Sequence, residues 1–171
     1  MNPLFQEIFW QVCLEDFPGH HAALAAVLPA GENAVSGKAP RQFDLACKRF
    51  FADNEITWPR YEDYLTYWGR PLPVIDEEAD EWPDYKEMGE LLAHRITMAY
   101  INAEKRQKLL ESVDLFPYWR LRVIEDGRAR PECLAESQTT RHYTDAFWQE
   151  KKFPCEWLDC RCWITHSARP D

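Results

Sequence analysis

Apolar positions recur at helical spacing from the start of the chain. Leu4/Phe5, Ile8/Phe9 and Val12/Cys13 fall on one side of a helix predicted over residues 3–17, which Pro18-Gly19 ends. His20-His21 precede an Ala-rich turn of helix predicted to stop at Pro29-Ala30-Gly31, and residues 31–40 read as a loop. Residues 41–52 carry Phe43, Ala46/Cys47 and Phe50/Phe51 on one face and predict another helix, with Cys47 packed as a small hydrophobe. Thr57 is the candidate cap of the next helix and Pro59 its start. Tyr61, Tyr64/Leu65 and Trp68 make its inner face, and Gly69 is its stop.

The periodicity fails over residues 70–85, where Pro71, Pro73 and Pro83 interrupt an acidic run of Asp76, Glu77, Glu78, Asp80, Glu81 and Asp84. This stretch reads as a linker with a solvated acidic face, since it lacks the alternating oxygen ligands of a calcium loop. The clearest helix follows over 86–113, with Leu92, Ile96, Ala99/Tyr100, Ala103, Leu110 and Val113 on one side and Glu104, Lys105, Arg106 and Lys108 on the other. Beyond Pro117 the period changes to two. Trp119, Leu121 and Val123 alternate with Arg120 and Arg122 in a strand predicted over 118–124, and Asp126-Gly127 marks a turn. The last forty or so residues read as a loop-rich unit with short strands, a kind of unit that needs a staple to stay folded.

Composition changes this picture in two ways. The chain of 171 residues is 46% hydrophobic and 14% aromatic, with eight Trp, so a packed core is expected. Its net charge of −9 excludes a generally basic nucleic-acid footprint and makes direct nucleic-acid binding an unexpected activity. The basic pairs Arg120/Arg122 and Arg128/Arg130 read as solvated or paired surface charge. No stretch has the length and apolarity of a membrane span, and Met1–Glu7 has no signal-type core, so a cytoplasmic location is expected.

In that compartment clustered cysteines point to metal or redox chemistry rather than structural disulfides. Cys155, Cys160 and Cys162 lie close together, with Cys133 upstream. A tetrahedral zinc site takes four thiolate or imidazole ligands, so these four cysteines are the candidate metal ligands, with His142 as the alternate fourth; His166 is a spare. The one-residue gap between Cys160 and Cys162 is tighter than in a standard zinc finger, but residues two apart in an extended segment share a side. A disulfide among the cysteines, or packed thiols, remain the other two readings. No Cys-x-x-Cys is present to favour redox catalysis. The adjacent His20 and His21 point to different sides of a helix and are not expected to share a metal. The resulting expectation is an α+β chain: a helical region over 1–70, the acidic linker over 71–85, and an α+β domain over 86–171 whose small β unit is stapled by a cysteine cluster holding structural zinc.

An ordered set of segments in the last third resembles a known family. Pro117-Tyr-Trp-Arg120, Glu125-Asp-Gly-Arg-Ala-Arg-Pro131, Asp145-Ala-Phe-Trp148, Pro154 and Cys160-Arg-Cys162 occur in the order found in the phage head-morphogenesis domain of Mu F-like minor head proteins. Arg95 and Asn102 match the Arg and Asn of that family's preceding helix. The resemblance covers residues 90–164. It departs where the family has His after Arg-Pro-x and this chain has Cys133, which is also a metal-ligand type. It departs again where the family's Pro-Pro-x-Gly has become Pro154-Cys-Glu-Trp157. The resemblance implies a non-enzymatic minor capsid role in the virion, with contacts to portal or capsid proteins during assembly or DNA packaging. Two other function classes stand beside it. An acidic accessory protein (inhibitor, immunity or antidefence factor) would suit a basic partner. A nuclease or toxin module would draw on Asp126, Arg128, Arg130, Glu132 and His142, although no nucleophile-plus-base spacing stands out.

Overall fold

The computed structural model describes residues 2–69, 84–137, 139–150 and 158–170. Four helices come first: α1 (Pro3–Asp16), α2 (His21–Val35), α3 (Pro40–Asn54) and α4 (Pro59–Tyr67). The long α5 (Tyr85–Leu110) follows, then β1 (Tyr118–Arg122), α6 (Pro131–Glu136), β2 (Thr140–His142), α7 (Ala146–Glu150) and β3 (Trp163–Ser167). The result is helix-rich α+β with one small three-stranded sheet. The chain divides into two compact units, residues 1–97 with 157–159, and residues 98–156 with 160–171. The division falls inside α5, between Thr97 and Met98. The linker expected over 71–85 and its acidic run lie outside the described residues, save for Asp84 and Tyr85. Asp84 is a cap: its Oδ1 accepts from the Glu87 N–H at 3.0 Å, which satisfies an otherwise orphan donor at the start of α5.

The first unit is built on aromatic packing. Phe5, Phe9, Leu24, Phe43, Phe51 and Trp58 are among its fully buried side chains. Phe17 sits edge-on to Phe50 and Phe51 at 5.2 and 5.5 Å, and Phe51 stacks on Trp58 at 5.3 Å, all within the range that adds favourable quadrupole contacts to plain burial. Cys13 and Cys47 are buried here as small hydrophobes, and burial pushes both thiols up, away from the reactive thiolate. The two histidines serve packing as well: His21 stacks on Trp10 at 4.1 Å and His20 meets Phe50 edge-on at 6.0 Å. One polar network ties α1 to α4. Asp16 Oδ2 accepts from Trp58 Nε1 at 3.1 Å, and Asp16 Oδ1 accepts from Arg60 Nε at 3.0 Å. Arg60 also lies 3.8 Å from Glu15, and the buried Arg95 of α5 lies 4.0 Å from the same carboxylate.

Three sequence expectations change here. First, α2 does not stop at Pro29-Ala30-Gly31 but runs through both breakers to Val35, so most of the predicted loop over 31–40 is helix or the start of α3. Gly31 is present because the helix passes close to aromatic rings: a Cβ there would lie 2.6 Å from Phe5 Cζ and 3.0 Å from Phe43 Cε2. Second, Thr57 does not cap α4; Trp58 holds that position and makes no side-chain cap bond. Third, α5 ends at Leu110, three residues short of Val113. Its apolar stripe turns onto Leu109, which is buried, and leaves Leu110 48% exposed.

In the second unit β1 is central, in the order β2-β1-β3, with both pairings antiparallel. Trp119 and Leu121 are buried on one side, together with Ile164, which pairs with Leu121, and Trp148 of α7. Trp119 and Trp148 meet at 5.8 Å. The opposite side carries Tyr118, Arg120 and Arg122 and is half-buried to exposed. The alternation predicted over 118–124 holds through Arg122.

Gly89 is a second close-packed glycine in the first unit. A Cβ there would lie 2.6 Å from the Lys48 backbone nitrogen and 2.8 Å from its Cα. Because the obstruction is backbone, α3 and α5 have to separate. Gly89→Ala is expected to cost roughly 1–3 kcal/mol in urea unfolding. Gly19→Ala, with nothing within 4 Å and no positive φ, serves as the neutral comparison; equal midpoints for the two variants would contradict the close approach.

Candidate functional site

Of the residues singled out by the sequence, Asp126 and Asn102 meet the segment Cys160-Arg161-Cys162 in the second unit. Cys160 is 6% and Cys162 2% exposed, while the Arg161 side chain between them is 21% exposed. This is the alternation of an extended segment leading into β3: both thiols turn inward and the guanidinium turns outward.

Polar ties hold the segment from both sides. The outer one is a fork. Arg161 Nη1 donates to Asp126 Oδ2 at 2.7 Å and Nη2 to Oδ1 at 2.6 Å, a bidentate pair. Asp126 sits in the bend before Gly127, whose φ of +77° is a left-handed conformation that glycine adopts without strain. The Arg128 N–H and Nη2 also donate to this carboxylate, each at 3.3 Å. The hydrogen bond from Arg161, then those from Arg128, hold the Asp126 carboxyl well below the usual carboxylate range. A carboxylate held this way is a poor general base. The inner tie runs from α5. Asn102 is 2% exposed, and its Nδ2 donates to the Cys162 carbonyl at 3.0 Å and to the Met98 carbonyl at 2.9 Å.

The other candidate residues take separate places. Cys133 lies in the short helix α6, 4% exposed, in the same unit as Cys160 and Cys162. Cys155 lies outside the described residues. Among those residues no group of three or more His, Cys, Asp or Glu is arranged to hold a metal ion. His142 is exposed at the end of β2; its Nδ1 is 2.8 Å from Thr144 Oγ1 and its ring lies edge-on to Tyr118 at 5.5 Å. His166 meets Phe116 at 4.6 Å. Arg130 is buried at 3% exposure and Glu132 is exposed. Arg95 and Asn102, noted for their place on the long helix, are both buried. Sequence reasoning did not pair Asp126 with Arg161. Their separation of 35 positions and the lack of any periodic relation gave no signal beyond opposite charge.

The arrangement defines a class before any relative is considered: a small α+β unit in which Asp126 and Asn102 clamp the segment leading into β3. Over 102 residues the chain is 29% identical to a protein described as putative capsid assembly protein F of Escherichia phage Mu. That similarity covers 57% of this chain and 23% of the phage protein, so the chain spans about a quarter of its relative's length. No family model and no solved structure matches the chain. Among the described residues no helix is long and apolar enough to cross a membrane.

The Asp126–Arg161 fork has a pH signature. The folded pKa of Asp126 lies below its unfolded value of about 3.9. The group therefore contributes stability above that value and loses the contribution as pH falls through its folded pKa. Arg161→Ala is expected to melt below wild type at pH 7, with the gap shrinking as pH is lowered from about 4. Melts at pH 7, 5, 4 and 3 check this; a gap constant across the series would place the effect of Arg161 elsewhere.

Proposed function

We propose that this chain is a minor head-morphogenesis protein that works through protein contacts in phage capsid assembly or DNA packaging and is carried in, or made for, a virion. The observation that carries the reading is the similarity to the phage Mu capsid assembly protein, 29% over 102 residues. The structure supports it in a second way. The ordered motif residues that resemble the Mu F-like family are joined by the Asp126–Arg161 fork and the Asn102 tie to Cys162. They act as a scaffold for one small unit, which suits a protein that binds rather than one that catalyses. Portal and capsid proteins are the proposed partners. An acidic accessory protein on the same scaffold is the second reading, supported by the net charge of −9.

Co-expression with phage portal and major capsid proteins tests the first reading. The chain is expected to sediment with proheads and to be absent from that fraction when portal is omitted. Recovery only as free protein, with proheads forming normally, would favour the accessory reading.

We propose zinc as the ligand of Cys133, Cys160 and Cys162, with Cys155 or His142 completing the set. The support is donor chemistry: three buried thiols in one small unit, beside a sheet with strands of five, three and five residues. A bound zinc would add cross-linking stability to that unit, because metal-binding energy in such units is folding energy. Elemental analysis of protein purified without added metal is expected to give about one zinc per chain, lost in Cys160→Ala together with several kcal/mol of stability. Less than about a tenth of an equivalent would remove zinc from the picture.

A further inference from the structure

We infer that the outward face of the β2-β1-β3 sheet is a binding surface for single-stranded nucleic acid. Because Trp119 and Leu121 turn into the core, Tyr118, Arg120 and Arg122 must share the other face of β1. The antiparallel register fixes what lies beside them. Tyr118 pairs with His142, and Arg122 pairs with Trp163, and directly paired residues share a face. No Asp or Glu occupies an outward position on any of the three strands; the remaining positions are Thr140, Thr165 and Ser167. In a chain with 29 acidic against 20 basic residues, the outward positions of these three strands hold arginine and no carboxylate, and Arg122 is the exposed one of the two arginines. The average charge of −9 speaks against a protein-wide basic footprint, not against one cationic face.

The chemistry selects among anionic partners. Arg122 is exposed and anchored at Nε, which donates to Thr165 Oγ1 at 3.3 Å. A guanidinium fixed on that side presents its outer edge to a phosphate. Lys105 of α5 lies 5.9 Å from the Trp163 ring centroid, which adds a second cation at the same end. The planar group of Trp163 stands at that same end, and those of Tyr118 and His142 stand at the other end of the face. An acidic peptide would use the cations alone, and duplex DNA offers phosphates but no open base faces. A single strand uses both, with bases stacked on aromatic rings and phosphates on arginine. From Tyr118 to Arg122 the strand spans about 13 Å, room for roughly two or three bases, as on other sheet platforms.

The test is fluorescence anisotropy of a labelled oligo-dT strand, about twenty nucleotides long to exceed one platform, titrated with the full chain at low salt. Binding is expected, with an affinity that falls as salt rises. Arg122→Glu should weaken it by about tenfold or more and lower the salt slope by roughly 0.7 for each phosphate no longer neutralised. Tyr118→Ala should weaken it by a similar factor, while Tyr118→Phe, which keeps the ring, should bind as wild type. Circular dichroism melts confirm that each variant is folded. No binding at about 100 μM chain, or binding indifferent to Arg122→Glu and Tyr118→Ala in folded protein, would overturn the inference. So would equal affinity for a duplex of the same length or for polyglutamate, because either would make the face a site for phosphate or carboxylate charge alone.

Discussion

The second unit depends on how the segment Cys160-Arg161-Cys162 is held. A sheet with strands of five, three and five residues buries too little to close itself. Its third strand arrives from the end of the chain and pairs with β1 across more than forty positions. Closing such a loop costs entropy before any contact offsets it. The offset is concentrated at three consecutive residues. Arg161 is gripped from outside by the Asp126 carboxylate through two short charged hydrogen bonds, and the Cys162 carbonyl is gripped from inside by Asn102. With that segment fixed, β3 enters in register and Ile164 meets Leu121. The inner bond matters for a second reason. Leaving a buried carbonyl unsatisfied costs about 1–3 kcal/mol, and Asn102 donates to the one at Cys162. Asn102 also donates to Met98, one turn back on its own helix, which fixes the side-chain rotamer.

The first unit solves a different problem with different means. It has helices enough to bury large side chains, and its limits are steric. Gly31 and Gly89 mark the two places where a helix comes so near a ring or a backbone that a Cβ would overlap it. Its polar cluster of Asp16 with Trp58 and Arg60 places a carboxylate at the C-terminal end of α1, where the helix dipole disfavours negative charge. The indole N–H and the guanidinium offset that penalty and fix the position of α4 on α1.

Much of the helical fold could be read from the chain because it follows from period. The stripes Phe5/Phe9/Val12 and Phe43/Cys47/Phe50 are local signals, and α1 and α3 lie where those stripes place them. Trp119 and Leu121 gave β1 in the same way. What period cannot supply is the partner across space. Pro29 and Gly31 read as breakers because their local preferences are clear, but packing against Phe5 and Phe43 overrides them. The candidate site shows the same division. That Cys160 and Cys162 share one side of an extended segment was readable from their spacing, and both are buried, whereas the link from Asp126 to Arg161 is a long-range ion pair with no local trace. Asp126-Gly127 was readable as a turn, yet the turn's use as an anchor was not.

Register explains how an acidic chain can carry a cationic sheet face. Once Trp119 and Leu121 are committed to the core, a slip of one residue would bury Arg120 and expose the two apolar side chains, so the alternation is locked. The neighbours of Arg120 and Arg122 are then dictated by pairing, and the positions opposite them are Thr140, Thr165 and Trp163, none of them anionic. Arg122 is oriented through Nε by a neutral oxygen, the Thr165 hydroxyl. A hydrogen bond to a neutral oxygen orients an arginine without cancelling its charge, whereas a carboxylate partner does both, as at Asp126. Arg161 and Arg122 therefore differ in kind although both are tied down. Arg161 is matched by Asp126 and serves as a clamp, while Arg122 is positioned by a hydroxyl and keeps its end of the outer sheet face positive.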